Sequence, residues 1–247
     1  MAEHAKESSH WYAKDGSPCY TVIGKNGKER DTTLRDARTM GLVPSVTTII
    51  RQAVAPGLER WKAEQLLLSA LTTDRKPDES QDEYVSRIIA DSQEQGKKAR
   101  ERGTYIHAVV QGGFEGEPIS DDDRIYYESA RDTLLKECGE QSWICEKAFA
   151  TKEFGGKVDL HTATLVVDIK TTQKDLAKIK TWDEHHQQLA AYIEGVCNGE
   201  GRGGILYINT DTAESKLLWV SADDLIKGWY CFEALLAYFY AKTGLEV

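Results

Sequence analysis

The sequence contains no apolar run approaching the roughly 20 residues that span a bilayer. Its opening stretch, MAEHAKESSHWYAKDG, lacks the apolar segment of a secretory signal, so a soluble, intracellular chain is expected. The cysteines (Cys19, Cys138, Cys145, Cys197 and Cys231) are odd in number, and no two show C-x-x-C spacing. That excludes a zinc ribbon, an iron–sulfur framework and a paired disulfide scaffold, and points to reduced, structural thiols. Basic charge is also short: 31 Lys and Arg stand against 40 Asp and Glu, for a net charge of −9. A protein that coats nucleic acid over its whole surface looks basic overall, so any such binding here has to be local.

Other familiar devices are missing as well. There is no internal repeat and no long low-complexity stretch. The glycine-rich run Gly199–Gly204 precedes a strand and lacks the Lys-Ser/Thr ending of a phosphate loop, so it reads as a turn. His185 and His186 are adjacent, hence about 100° apart on a helix and a poor metal pair. No Ser/His/Asp hydrolase elbow is present.

What is there is a chain of 247 residues with 40% hydrophobic content, enough for one large domain. Residues 1–10 are expected to be mobile, and 11–42 hold glycine-rich turns with a short strand near Cys19–Ile23. Ser45 is placed to cap a helix that follows Pro44. Leu58–Leu71 is helical by composition, 72–80 is a polar linker, and a long helix spans about Gln81–Gly112, with a break expected near Gly96. Another helix follows the acidic cap Asp121–Asp123 and runs to about Cys138. Strands are expected at Trp143–Thr151 and Lys157–His161, joined by a turn at Phe154–Gly156, and at Leu165–Thr171. A helix over Glu184–Cys197, strands at Gly204–Asn209 and Lys216–Val220, and a closing helix over Ala222–Ala241 complete the order. The pattern predicts an α/β (α+β) fold: a mixed central sheet flanked by helices, behind a helical amino-terminal extension. The division expected is an extension over 1–42 and one domain over 43–247, with a helical part at 43–140 and a sheet core at 141–247.

The chemistry concentrates on two strands. In Val167-Asp168-Ile169-Lys170, Asp168 and Lys170 share one face while Val167 and Ile169 face the core. Alone, this reads equally well as a structural ion pair. Gly156-Lys157-Val158-Asp159 puts a second carboxylate nine residues upstream of Asp168, where a hairpin brings the two together. Converging carboxylates repel unless a proton or cation lies between them, and oxygen ligands suit magnesium or manganese. A hard cation, a polarised phosphate and an activated water are what phosphodiester hydrolysis needs. His107 on the long helix and the pair Gln188 and Tyr192, four apart on the helix after β-strand Leu165–Thr171, read by themselves as structural side chains. Glu146 reads as a lone acid among apolar neighbours. Basic residues gather at Lys97, Lys98, Arg100 and Arg102, and again at Lys174, Lys178 and Lys180; either cluster is also compatible with a solvated face. Trp61 and Tyr105 offer ring faces on which bases stack, and both also suit a core.

Taken in order, Gly103…His107, Gly156…Asp159, Asp168-Ile169-Lys170-Thr171 and Gln188…Tyr192 resemble the PD-(D/E)XK nuclease superfamily in its RecB-like branch. Val43-Pro44-Ser45-Val46-Thr47 followed by Leu58-Glu59-Arg60-Trp61-Lys62 is similar to the mitochondrial genome maintenance exonucleases and their phage relatives. The resemblance covers roughly residues 42–195. It implies a restriction-endonuclease-like fold and a metal-dependent DNA exonuclease, with Mg2+ or substituting Mn2+ as cofactor and no iron–sulfur cluster. It implies His107, Asp159, Asp168 and the backbone carbonyl of Ile169 as metal ligands, and Lys170 as the catalytic lysine. It implies that Gln188 and Tyr192 line the site and that Ser45 and Thr47 contact the DNA strand; Thr171, Lys174 and, from the layout of charge, the basic run Lys97, Lys98, Arg100 and Arg102 are expected to hold DNA as well. The substrate implied is DNA that is single-stranded or has free ends, in recombination, repair or replication. A single-strand annealing or replication partner and the cytoplasm of a bacterial or phage-infected cell fit that role. A structure-specific endonuclease and a non-catalytic DNA-binding module on the same fold are the alternatives. Many relatives carry Glu four residues after the histidine, where this chain has Gln111, which puts a second metal ion in doubt. Strand polarity and oligomeric state stay open, since lambda-type members form rings and the mitochondrial ones act as monomers.

Overall fold

A computed structural model describes residues 10–53 and 56–246. Its centre is a five-stranded sheet in the order β5 (Ile144–Ala150), β6 (Gly155–His161), β7 (Leu165–Thr172), β8 (Arg202–Asn209) and β9 (Ser215–Trp219). All neighbours are antiparallel except β7 and β8, which are parallel. A parallel pair requires a crossover, and α6 (Asp183–Cys197) supplies it. The mixed sheet flanked by helices expected from the sequence is therefore present.

Each face of the sheet has its own core. On one side α6, α7 (Ala222–Thr243) and α2 (Val46–Ile50) pack with Ile205 and Tyr207 of β8. On the other, α4 (Gln81–Glu115) and α5 (Arg124–Cys138) cover Leu206 and Ile208. Burial on both faces explains why GILYIN reads as an unbroken apolar run. No helix among the described residues is long and apolar enough to cross a membrane.

Three features differ from the sequence reading. First, residues 11–44 hold more order than one short strand. β1 (Trp11–Tyr12) pairs with β4 (Val43–Pro44), and β2 (Thr21–Ile23) pairs with β3 (Glu29–Asp31). Between them α1 (Leu34–Met40) opens on a reciprocal Thr33–Asp36 cap and closes on Gly41 at φ 64°. Strands of two or three residues carry no readable period. Trp11 is fully buried, 6.3 Å from Phe239 of α7 by ring centroids, so the start of the described chain shares a core with its last helix. The expected mobile start lies outside the described residues except His10, whose N–H donates to Thr48 Oγ1.

Second, α4 runs unbroken through Gly96. A Cβ there would come 3.2 Å from the Trp61 ring of α3 (Pro56–Thr72), so this glycine is a packing notch. Third, the β5–β6 turn ends before Gly155 and Gly156, which belong to β6. A Cβ on Gly155 would meet Tyr12 at 2.6 Å, and one on Gly156 would meet Phe149 at 2.8 Å and Tyr192 at 2.9 Å. These glycines serve close packing, not chain reversal.

Candidate active site

The site forms where regular sheet geometry breaks. Cys145 lies opposite Leu160 and Lys147 opposite Val158, so Glu146 stands against Asp159 on the neighbouring strand. Val158 faces the α6 core while Leu160, two residues on, faces the α4 core. On a regular strand, residues two apart share a face. Phe149 and Cys145 on β5 show the same change of side, so both strands turn over at the Glu146/Asp159 row. Glu146 takes φ 48°, a left-handed conformation that costs about 1–3 kcal/mol in a residue with a side chain. The next row is opened in the same way. The β6–β7 pairing runs through Leu160 and Val167, and beyond it the Ile169 N–H donates to Asp159 Oδ2 at 2.7 Å. A carboxylate has taken the place of a main-chain acceptor.

Helix α4 brings the histidine. Gly103 sits one turn before His107, and a Cβ there would come 2.6 Å from Thr171 Oγ1 of β7. The missing side chain lets helix and strand approach. His107 Nε2 then lies 3.2 Å from Asp159 Oδ2, and its Nδ1 lies 3.8 Å from Glu146 Oε1. His107, Glu146 and Asp159 each offer a ligand atom within 4.8 Å of the others.

Asp168 and Lys170 extend the cluster toward α6. Lys170 Nζ is 2.7 Å from Asp168 Oδ2, an ion-pair contact outside hydrogen-bond geometry that leaves this buried oxygen without a hydrogen bond. Lys170 also donates to Gln188 Oε1 at 3.2 Å, and Gln188 Nε2 donates to the Tyr192 hydroxyl at 2.9 Å. Gly156 makes room for the Tyr192 ring. The two glycines of the sequence motifs thus act as spacers for His107 and Tyr192.

The electrostatics follow from burial and crowding. Burial pushes the Asp168 carboxyl up to about 6, the Lys170 ammonium opposing and Asp159 adding to the push. Burial also acts on Asp159, yet His107, Lys170 and the Ile169 N–H together hold it below the usual carboxylate range. His107 and Lys170 are both held above their ordinary values by Asp159 and Asp168, against the effect of burial. Two crowded carboxylates, an imidazole, a third acid in Glu146 and a buried Asp168 oxygen held only by its ion pair with Lys170 make a donor set that fits a hard divalent cation.

Among the sequence candidates, His107, Asp159, Asp168, Ile169, Lys170, Gln188 and Tyr192 come together here. Glu146, read from the sequence as a lone acid, belongs with them; the signal that finds it is its register position opposite Asp159. The remaining candidates lie further out. Ser45 is 3% exposed, and its hydroxyl accepts from the Thr48 N–H and lies 3.1 Å from Thr47 Oγ1, capping α2. Thr171 is packed under Gly103. Lys97 and Lys98 are exposed and paired along α4 with Glu101 and Glu94, and Arg100 is exposed. Arg102 donates to the Tyr126 hydroxyl at 2.7 Å and lies over the Tyr105 and Tyr126 rings. Lys174 is exposed in the loop after β7. Gln111 donates to Glu115 Oε1 at 3.1 Å. Tyr105, two residues from His107 and so about 200° round the helix, points away from the cluster and hydrogen-bonds Asp123.

No protein-family model and no curated protein matches the chain. Among solved structures the chain is similar to LHK-Exo in complex with dAMP, at 16% identity and TM-score 0.38, over 75% of this chain and 94% of that one. It is also similar to an alkaline exonuclease (LHK-Exo) from Laribacter hongkongensis, at 15% identity and TM-score 0.34, over 75% and 92%. A third similar structure is SSO0001, at 15% identity and TM-score 0.32, over 73% and 86%. Likenesses this faint carry no argument about activity; the side-chain geometry does.

Proposed function

We propose that the chain is a divalent-cation-dependent deoxyribonuclease and, more narrowly, an exonuclease that works from free single-stranded ends. One observation carries this reading: a PD-(D/E)XK-like set, Asp159, Asp168 and Lys170, converges with His107 and Glu146 at a break in the sheet, and Gln188 and Tyr192 brace it. His107, Glu146, Asp159 and Asp168 would hold Mg2+ or Mn2+, with the Ile169 carbonyl beside them. Such an ion would polarise a phosphate oxygen and make bound water a better nucleophile.

The chain's own groups do the rest. Lys170 keeps its proton at Nζ, because two carboxylates raise its affinity for it. It can serve as a cation beside the phosphate and as a donor that orients water. Gln188 holds that ammonium in place. Tyr192, whose hydroxyl burial keeps protonated well above the ordinary range, holds Gln188. We take 43–247 as the nuclease domain and 1–42 as an extension, of which residues 10–42 fold against it.

The helical part supports a preference for ends. α4 has 35 residues, and its buried anchors against the sheet, Ile106 and Val110, lie in its last third. Its first half packs with α3 as a hairpin that leads up to the site, and the bases at 97–102 lie between hairpin and site. The test compares three end-labelled substrates in Mg2+: a linear oligonucleotide, the same strand blocked at both ends, and a closed single-stranded circle. Loss of the linear strand alone is expected, with none in excess chelator. Cleavage of the circle replaces the exonuclease with an endonuclease; binding with no cleavage of any form leaves a DNA-binding module; full activity in chelator removes the metal.

A further inference from the structure

The site holds a second lysine that the nuclease reading has not used. Lys157, two residues before Asp159 on β6, places its ammonium against Glu146 Oε2, while Glu146 Oε1 faces His107. The Lys157 side chain is 43% exposed and the Glu146 side chain only 13%, so the lysine caps the acid from the solvent side. The arrangement mirrors Lys170, which pairs with Asp168 at the other end of the row. Three carboxylates in a row across β5, β6 and β7 are thus flanked by two ammoniums. With His107 neutral, as a ligand must be, the row carries one net negative charge.

We infer that Lys157 is a built-in cation that holds this site to a single divalent ion. The inference rests on the nuclease reading and concerns its metal count. One net negative charge attracts one dication and repels a second once the first is bound. Without Lys157, Glu146 Oε2 is released and the row gains a negative charge. Glu115 strengthens that side. It lies about two turns beyond His107 on α4, with the neutral Gln111 between, and its charge acts on Lys157. Glu146 Oε2, covered at present by the ammonium, would then be open to a second cation.

The test counts Mn2+ bound to the free protein by calorimetry and electron paramagnetic resonance, with no DNA present. Wild type is expected to bind one ion. Lys157→Gln is expected to bind two, since a like charge has left the site. Lys157→Arg, which keeps the charge, should stay at one, and Glu146→Gln combined with Lys157→Gln should return to one. Lys157 is half-exposed, so these variants are expected to keep the wild-type circular dichroism. One ion in Lys157→Gln, or two ions in wild type or Lys157→Arg, would overturn the inference and leave the nuclease reading standing. Wild type that binds no Mn2+ would overturn both.

Discussion

The sheet end that carries Asp159 and Asp168 and the α3–α4 hairpin both hold dense charge, and they hold it in opposite ways. At the sheet end the charges are buried: Asp168 is 1% exposed, and its neighbours are tied through Lys170, Gln188 and Tyr192. Along the hairpin most charges are solvated and paired within one helix, as in Lys98–Glu94, and leucines lie open beside them, Leu67 at 63% and Leu71 at 82%. Buried charges cannot be screened, so their geometry fixes chemistry; exposed ones are screened and act through the field they sum to. Changes at the sheet end should therefore alter turnover, and changes on the hairpin should alter capture.

The sharpest break of that contrast is Lys170→Ala. Loss of a fixed cation beside the phosphate should lower single-turnover cleavage in Mg2+ on the order of 10³-fold. DNA affinity measured in Ca2+, whose looser shell suits the catalytic geometry poorly, should stay within a few-fold. The variant leaves Asp168 buried without its partner, but a carboxyl already raised to about 6 takes up a proton, so the loss of stability stays near 1–3 kcal/mol. A Lys170→Ala enzyme with wild-type turnover would remove the central assignment.

Gly103→Ala comes next. The new Cβ meets Thr171 Oγ1 at 2.6 Å, which forces α4 off β7 and draws His107 away from Asp159. Overpacking of this kind costs about 1–3 kcal/mol, and the displaced histidine should weaken Mn2+ binding by about tenfold. Thr171→Ala removes the obstructing oxygen and should restore most of both in the double variant. Failure of that rescue would show that Gly103 is needed for something other than its fit against β7.

How far the sequence reveals this site depends on the distance over which each residue acts. Asp159, Asp168 and Lys170 are readable because strand alternation and one short hairpin bring them together. Glu146 is not, because its place depends on the register of β5 against β6 and on a backbone at φ 48° that no pattern announces. Ser45 reads correctly as a cap, but its burial depends on residues 10–12 folding over it, and two-residue strands leave no period to find. The glycines at 155 and 156 look like a turn because glycine often makes one; here the reason is the Tyr12, Phe149 and Tyr192 rings that only tertiary structure supplies.

A third test separates stability from chemistry within the buried region. His185 accepts from the Trp182 N–H through Nδ1, and burial, with Lys170 and His186 nearby, lowers its pKa to about 4. The unfolded chain titrates near the ordinary histidine value of 6.5, so between 6.5 and 4 it binds more protons than the folded one. Stability contributed by neutral His185 is thus full above 6.5 and is lost as pH falls toward 4. After discounting for partial exposure, the loss is on the order of 1–2 kcal/mol. His185→Gln keeps an acceptor for the cap and cannot titrate in this range. Denaturant unfolding at pH 7 and pH 4.5 should show a smaller acid loss in the variant; equal losses would mean that His185 is not held neutral.

The smallest effect belongs to the hairpin. Lys97 and Lys98 have side chains 68% and 71% exposed, paired with Glu101 at 3.8 Å and Glu94 at 2.8 Å. Exposed pairs of this kind contribute about 0–1 kcal/mol, so replacing both lysines with Gln should leave the melting temperature nearly unchanged. If the bases at 97–102 line the path of a DNA strand, the same double variant should bind single-stranded DNA a few-fold more weakly at physiological salt. Each phosphate contact on a single strand contributes about 0.7 to the slope of log affinity against log salt, so losing two should flatten that slope by about 1.4. Turnover of DNA already bound should not change, because neither lysine reaches the carboxylate row. An unchanged slope would mean that the hairpin charges are only a solvated face, and the strand would have to enter from the Lys174 side. A fall in bound-state turnover would break the comparison itself, since capture and chemistry would then share one region.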